Sequence, residues 1–154
     1  MRLPPFQKLL DAHAVDVYRF LVATVGRGEA DDCYQETWLA ALRGYSSLKN
    51  DDNLRGWLMT IAYRKAMDDL RARSRRAIPV AELPERPGPA RELGDDGLWT
   101  LVADLPPKQR AAIALRFVAD APYADISRWM DISEEAARRN VNAGLNRLRT
   151  EYEA

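Results

Sequence analysis

The stretch "YADISRWMDISEEAARRNVNAGLNRLR", residues 123–149, decides how this chain folds. A short amphipathic segment ends at Met130, and Asp131 follows where the backbone must turn left-handed, a conformation Asp tolerates better than most residues. Ser133 suits a helix N-cap, and Glu134 and Glu135 fall in the first turn, where negative charge complements the helix dipole. A short helix, a three-residue turn and a longer helix together form a helix-turn-helix pattern. On the longer helix, Ala137, Val141, Leu145 and Leu148 recur at helical spacing and form the inward stripe. Arg138, Arg139, Asn142 and Asn146 are left pointing outward. Arginine and asparagine can meet guanine and adenine edges bidentately in the major groove. On an isolated helix such a face is usually plain solvated surface; the short helix and turn before it favour a DNA-reading role.

Bulk charge argues for caution about that role. The 154 residues carry 23 Lys+Arg and 23 Asp+Glu, a formal net charge of zero. Basic patches exist only locally: residues 64–76 hold Arg64, Lys65, Arg71, Arg73, Arg75 and Arg76 against Asp68 and Asp69. The long-range field of such a chain is weak, so it is a poor electrostatic anchor on nucleic acid.

Upstream of the quoted stretch, "LPPKQRAAIALRFV" (105–118) places prolines at a helix start, where a missing N–H costs nothing. Before it, "AIPVAELPERPGPARELGDDG" (77–97) contains four prolines and three glycines, and reads as a linker without regular structure. Three amphipathic patterns precede the linker. The first places Phe6, Leu10, Ala14, Val17, Leu21 and Val25 near 3.6-residue spacing. The second places Ala30, Cys33, Tyr34, Thr37, Trp38 and Ala41 on one face. The third uses Leu54, Trp57, Leu58, Ile61 and Ala62 and then turns basic. No segment alternates with period two. The expected fold is all-α, with two small helical domains: residues 1–76, a flexible linker at 77–97, and a helix-turn-helix domain at 98–154.

Several function classes are excluded. The apolar runs are too short for a membrane span, and the N-terminus lacks the apolar core of a signal peptide, so a cytoplasmic location is expected. With one cysteine, Cys33, and one histidine, His13, the chain cannot form an internal disulfide, a multi-cysteine metal site or a histidine network. No cofactor or catalytic constellation is expected, and Cys33 reads as a small buried hydrophobe. One polar feature stands out: Asp32, Gln35, Glu36 and Leu39 share the helix face opposite the core stripe. Alone this is most often solvated surface; as a docking face it would offer acceptors to arginines on a partner.

Taken in order, these segments become specific. "EADDCYQETWLAALRGY" (29–45) resembles the conserved helix of bacterial RNA polymerase sigma factors of the sigma-70 family, and "LRGWLMTIAYRKAMDDLRAR" (54–73) resembles the following helix of their extracytoplasmic-function (ECF) group. Residues 105–149 are similar to that group's promoter-reading C-terminal domain. The resemblance implies an initiation factor that is not an enzyme. It further implies that Asp32, Gln35, Glu36 and Leu39 dock on the clamp helices of core RNA polymerase. The loop "SSLKNDDN" (46–53) and the helix after it would open the minus-10 element, with Lys49, Asn50, Asn53, Leu54, Arg64, Lys65 and Arg71 as candidate contacts. The C-terminal domain would bind the polymerase flap and read the minus-35 duplex through Ser133, Arg138, Arg139, Asn142 and Asn146. Promoter DNA, core polymerase and an anti-sigma factor are the implied partners, with no membrane insertion.

The chain departs from the family pattern at Arg64, where Asn is common, and at Asn140 and Ala143, where basic residues are common. Arginine offers only donors and a charge, so the family's minus-10 specificity does not transfer, and fewer phosphate contacts are expected on the last helix. The rival readings are a stand-alone helix-turn-helix regulator, for which no dimerisation unit is evident, and a small all-α enzyme, for which no catalytic set is present.

Overall fold

The computed structural model describes residues 3–76 and 96–153, which form seven helices and, among the described residues, no strand. In chain order they are α1 (Phe6–Val25), α2 (Arg27–Tyr45), α3 (Leu54–Arg76), α4 (Asp96–Ala103), α5 (Pro107–Phe117), α6 (Tyr123–Met130) and α7 (Glu134–Glu153). The expected linker at 77–97 lies mostly outside the described residues. Its last two positions, 96 and 97, are helical and begin α4.

The junctions follow local chemistry. α1 meets α2 at Gly26, whose φ of 87° is open to glycine and strained for other residues. Among the described residues the remaining positive-φ positions are Asn53, Asp120 and Asp131, side chains that tolerate left-handed backbone. Asp131, at φ 57° and ψ 51°, makes the turn of the helix-turn-helix, as its position in the sequence predicts. Ser133 Oγ accepts the Ala136 N–H at 3.0 Å, completing the predicted cap of α7.

α1, α2 and α3 enclose an aromatic cluster in which Phe6 meets Trp38 and Tyr45 edge-on, with centroids 5.9 and 5.2 Å apart. Such contacts add to the area that the rings bury. Of the predicted stripe of α2, Ala30, Cys33, Thr37, Trp38 and Ala41 are buried and Tyr34 is half-buried. In the C-terminal unit, Ala137, Val141 and Leu148 are buried, Leu145 partly so, and Gly144 lets α7 approach α5 so closely that a Cβ there would lie 3.0 Å from Ile113.

The two units do not stand apart. Residues 20–25 of α1 are buried on every side, because α4 and α5 cover the face left free by α2 and α3. α3 is rotated from its predicted stripe for the same reason. Leu58 and Ala62 are buried as expected, but Leu54, Trp57 and Ile61 are only half-buried, while Gly56, Met59, Tyr63 and Ala66 are buried. Two arginines cross the seam. Arg110 donates to the Leu105 carbonyl at 2.9 Å in its own unit and to the Thr24 carbonyl of α1 at 3.0 Å. Arg55 donates to the Ala119 carbonyl, lies 5.5 Å from the Trp129 ring centroid and stands 3.6 Å from Asp16. Burial lowers the pKa of Arg110, and the carbonyl oxygens it meets supply the acceptors a buried cation needs.

Candidate nucleic-acid and protein-docking interfaces

The first surface lies on α2. With Ala30, Cys33, Thr37 and Ala41 turned into the core, Asp32, Gln35, Glu36 and Leu39 are all exposed on the opposite side. Leu39 is 50% exposed, and Leu42, three residues further on, is 55% exposed. The sequence reading stopped at Leu39; the same periodicity carried one step further would have included Leu42. The face therefore joins acceptors at one end to bare leucines at the other, a mixture suited to a partner helix. Cys33 lies on the inner side of this helix. Burial, then the nearby Asp69 and Glu36 carboxylates, push its thiol up to about 12.

The second surface starts at the 46–53 loop. Lys49, Asn50 and Asn53 are exposed and Leu54 is half-buried. Both asparagines shape the backbone: Asn50 Oδ1 accepts the Asp52 N–H at 3.0 Å, and Asn53 Oδ1 accepts the Gly56 N–H at 3.0 Å, capping α3. Their side-chain amide N–H groups remain as donors. Arg64, Lys65 and Arg71 lie along α3, and at ~1.5 Å per residue Arg71 is roughly 25 Å from Leu54. These residues form a track, and it divides. Leu54 and Lys65 share one face by helical rotation, whereas the exposed Arg64 and Arg71, seven residues apart, share another. That second face lines an open cleft between the units, together with Tyr63, Met67 and Lys108 of α5. Lys108 was not singled out from sequence, because only the packing of α5 beside α3 brings it there.

The third surface is the outer face of α7. Arg138, Arg139, Asn142 and Asn146 are exposed, as the stripe predicts. They are not equally free: Arg138 donates to Glu134 at 3.0 Å, and Asn146 accepts from Arg149 at 3.2 Å. Ser133 uses its oxygen as the cap acceptor and keeps its hydroxyl proton. Asn140 donates to the Ala136 carbonyl one turn back. Behind α7, Leu98, Trp99, Val102, Phe117, Leu148 and Tyr152 contribute to an open apolar groove of about 530 Å³.

No group of three or more His, Cys, Asp or Glu side chains among the described residues could hold a metal ion. No helix among them is long and apolar enough to cross a membrane.

Comparison with known proteins matches this layout. Residues 9–76 fit the family model described as Sigma-70 region 2, and residues 101–150 fit Sigma-70, region 4. The RNA polymerase sigma factor CarQ of Myxococcus xanthus is 31% identical over 152 residues, covering 94% of this chain and 87% of its own. The ECF RNA polymerase sigma factor SigC of Mycobacterium tuberculosis is 32% identical over 125 residues, covering 77% and 68% respectively. Among solved structures, the sigma factor RpoE from Bartonella quintana, in complex with the anti-sigma factor NepR, matches with a TM-score of 0.79 at 20% identity over 97% of both chains. CnrH, in complex with the cytosolic domain of CnrY, matches with a TM-score of 0.74 at 19% identity over 96% of this chain and 87% of its own. At these identities the two structures establish a shared fold.

Proposed function

Because this chain belongs to the ECF group of sigma-70 factors, and so directs RNA polymerase to promoters, we propose how its three surfaces divide that work. The α2 face of Asp32, Gln35, Glu36, Leu39 and Leu42 docks on the clamp helices of core polymerase. The 46–53 loop and the α3 track of Leu54, Arg64, Lys65 and Arg71 engage the minus-10 element as it opens. The α7 face of Arg138, Arg139, Asn142 and Asn146 reads the minus-35 duplex, with the Ser133 hydroxyl directed to a phosphate. The apolar groove behind α7 is the seat for the polymerase flap. In domain terms, residues 1–76 bind core and melt DNA, 77–95 connect, and 96–154 read the duplex.

One observation supports this reading: two separate exposed faces, one acidic-apolar on α2 and one Arg/Asn-rich on α7, stand on a chain with zero net charge. Non-specific DNA affinity arises mainly from phosphate neutralisation and counterion release. A neutral chain therefore needs core polymerase to hold its reading helix on DNA. The factor itself performs no catalysis and acts in the cytoplasm, where the polymerase works. An anti-sigma factor is the inferred negative regulator, supported by the RpoE likeness having been solved in complex with one.

Transcription in vitro with core polymerase over a randomised promoter library tests the whole reading, because activity and sequence preference are reported together. Glu36→Lys should leave the fold intact and weaken core binding by ~2 kcal/mol or more, as expected for reversing a charge at a partner surface. Unchanged core affinity would defeat the docking assignment. Tight sequence-specific binding by the free chain in a gel shift would instead favour a stand-alone regulator.

A further inference from the structure

Tyr123 opens α6 directly after Pro122, whose ring fixes the backbone from which the tyrosine projects. Two guanidinium groups lie within cation–π range of its ring. Arg116 of α5 has its guanidinium carbon 4.4 Å from the ring centroid, and Arg138 of α7 lies 5.1 Å away. Arg116 is itself tied down, donating to the Ala121 carbonyl at 3.1 Å. Arg138 is held a second time by Glu134, one turn earlier on its own helix, at 3.0 Å. Three successive helices thus converge on one half-buried ring, and one of the two cations gathered there belongs to the outward face of α7.

An unrestrained arginine side chain loses most of its rotamer freedom when it docks on a base edge. Arg138 begins with part of that freedom already removed. One terminal nitrogen engages Glu134, and the guanidinium has five N–H donors in a planar fork, so an edge remains for the O6 and N7 acceptors of guanine. The carboxylate and the ring face also offset the repulsion between the two arginines. The other outward residues of α7 have no comparable support from α6: Asn146 leans on Arg149 of its own helix.

We propose that Tyr123 is a positioning residue for promoter reading: its ring, together with Glu134, holds the Arg138 guanidinium in place before DNA arrives. Selectivity at one base pair of the minus-35 element then depends on a tyrosine that touches no base. The inference rests on Arg138 being a reader of that element, as proposed above.

The test is a set of full-length variants, each assembled with core polymerase and profiled on a promoter library randomised across the minus-35 duplex. Tyr123→Leu should lower discrimination at a single base pair by about two- to fivefold, the worth of an exposed cation–π contact. Preferences elsewhere and core affinity should hold, and Tyr123→Phe, which keeps the ring, should retain the wild-type profile. In an Arg138→Ala background, Tyr123→Leu should add nothing. A wild-type profile for Tyr123→Leu, an equal loss in Tyr123→Phe, or an undiminished further loss in the Arg138→Ala background would each overturn the positioning role. If Arg138→Ala alone leaves the profile unchanged, the reader assignment fails, and the inference fails with it.

Discussion

Gly56→Ala should destabilise this protein, although glycine-to-alanine in a helix normally does the opposite. Replacing a helical glycine by alanine ordinarily gains up to ~1 kcal/mol. At position 56, however, a Cβ would lie 2.5 Å from Asn53 Nδ2 and 2.8 Å from Trp129 Nε1. Real Cβ contacts are not that short, so both the Asn53 cap and the Trp129 ring must give way. Giving up the cap costs about 1 kcal/mol, since Asn53 Oδ1 holds the Gly56 N–H. Forcing the ring aside costs about 1–3 kcal/mol as overpacking, since Trp129 is 3% exposed. The indole N–H is buried without a hydrogen-bond partner among the described residues, so moving it into water recovers part of that cost. Displacing the Trp129 ring loosens the seam between the units, because Trp129 of α6 rests on α3 there. We expect a net loss of about 1–2 kcal/mol in denaturant titration and a larger radius of gyration by small-angle X-ray scattering. Trp129→Phe removes the Nε1 edge and should reduce both effects when combined with Gly56→Ala. An unchanged radius together with a raised denaturation midpoint would show that α6 does not rest on Gly56 in solution.

Val141 is fully buried between α7 and the rest of the C-terminal unit, so Val141→Asp should unfold that unit, at a cost above ~3 kcal/mol for an unpaired buried charge, visible as lost helicity by circular dichroism. Cys33, buried and with its thiol pushed up to about 12, should resist iodoacetamide at pH 8 in the native protein and react readily in denaturant, because only the thiolate attacks. Burial, and secondarily the Arg55 charge, lower the pKa of His13 against the opposing pull of Asp16. The folded chain then binds fewer protons than the unfolded one, so stability should fall as pH drops through the ordinary value of 6.5. His13→Gln should flatten that slope in denaturation measured between pH 5 and 7.5.

Much of the local structure was legible in the sequence because helix periodicity, caps and turns are set within a few residues. Asp131 and Ser133 marked the turn and the cap, and the α2 and α7 stripes identified which side chains face out. α4 was missed as a helix because it is only eight residues long and emerges from a Pro/Gly-rich stretch. Its Leu98, Leu101 and Val102 carry a helical spacing that could have revealed it.

The sequence by itself determined that the chain is helical, that its C-terminal part is a helix-turn-helix, and which residues of α2 and α7 point away from their own unit. Only the tertiary structure decided what those units do to each other. It buried residues 20–25 of α1 on all sides, turned α3 toward Gly56 and Tyr63, and brought Arg138 onto Tyr123. The bonds that tie the seam join residues 64 and 86 positions apart, Arg55 to Ala119 and Arg110 to Thr24. A 3.6-residue period records whether a face is apolar, but not which distant surface will cover it. Arg55 and Arg110 read as ordinary surface charges until packing places backbone carbonyls opposite them, because a carbonyl acceptor belongs to every residue and leaves no mark in the sequence.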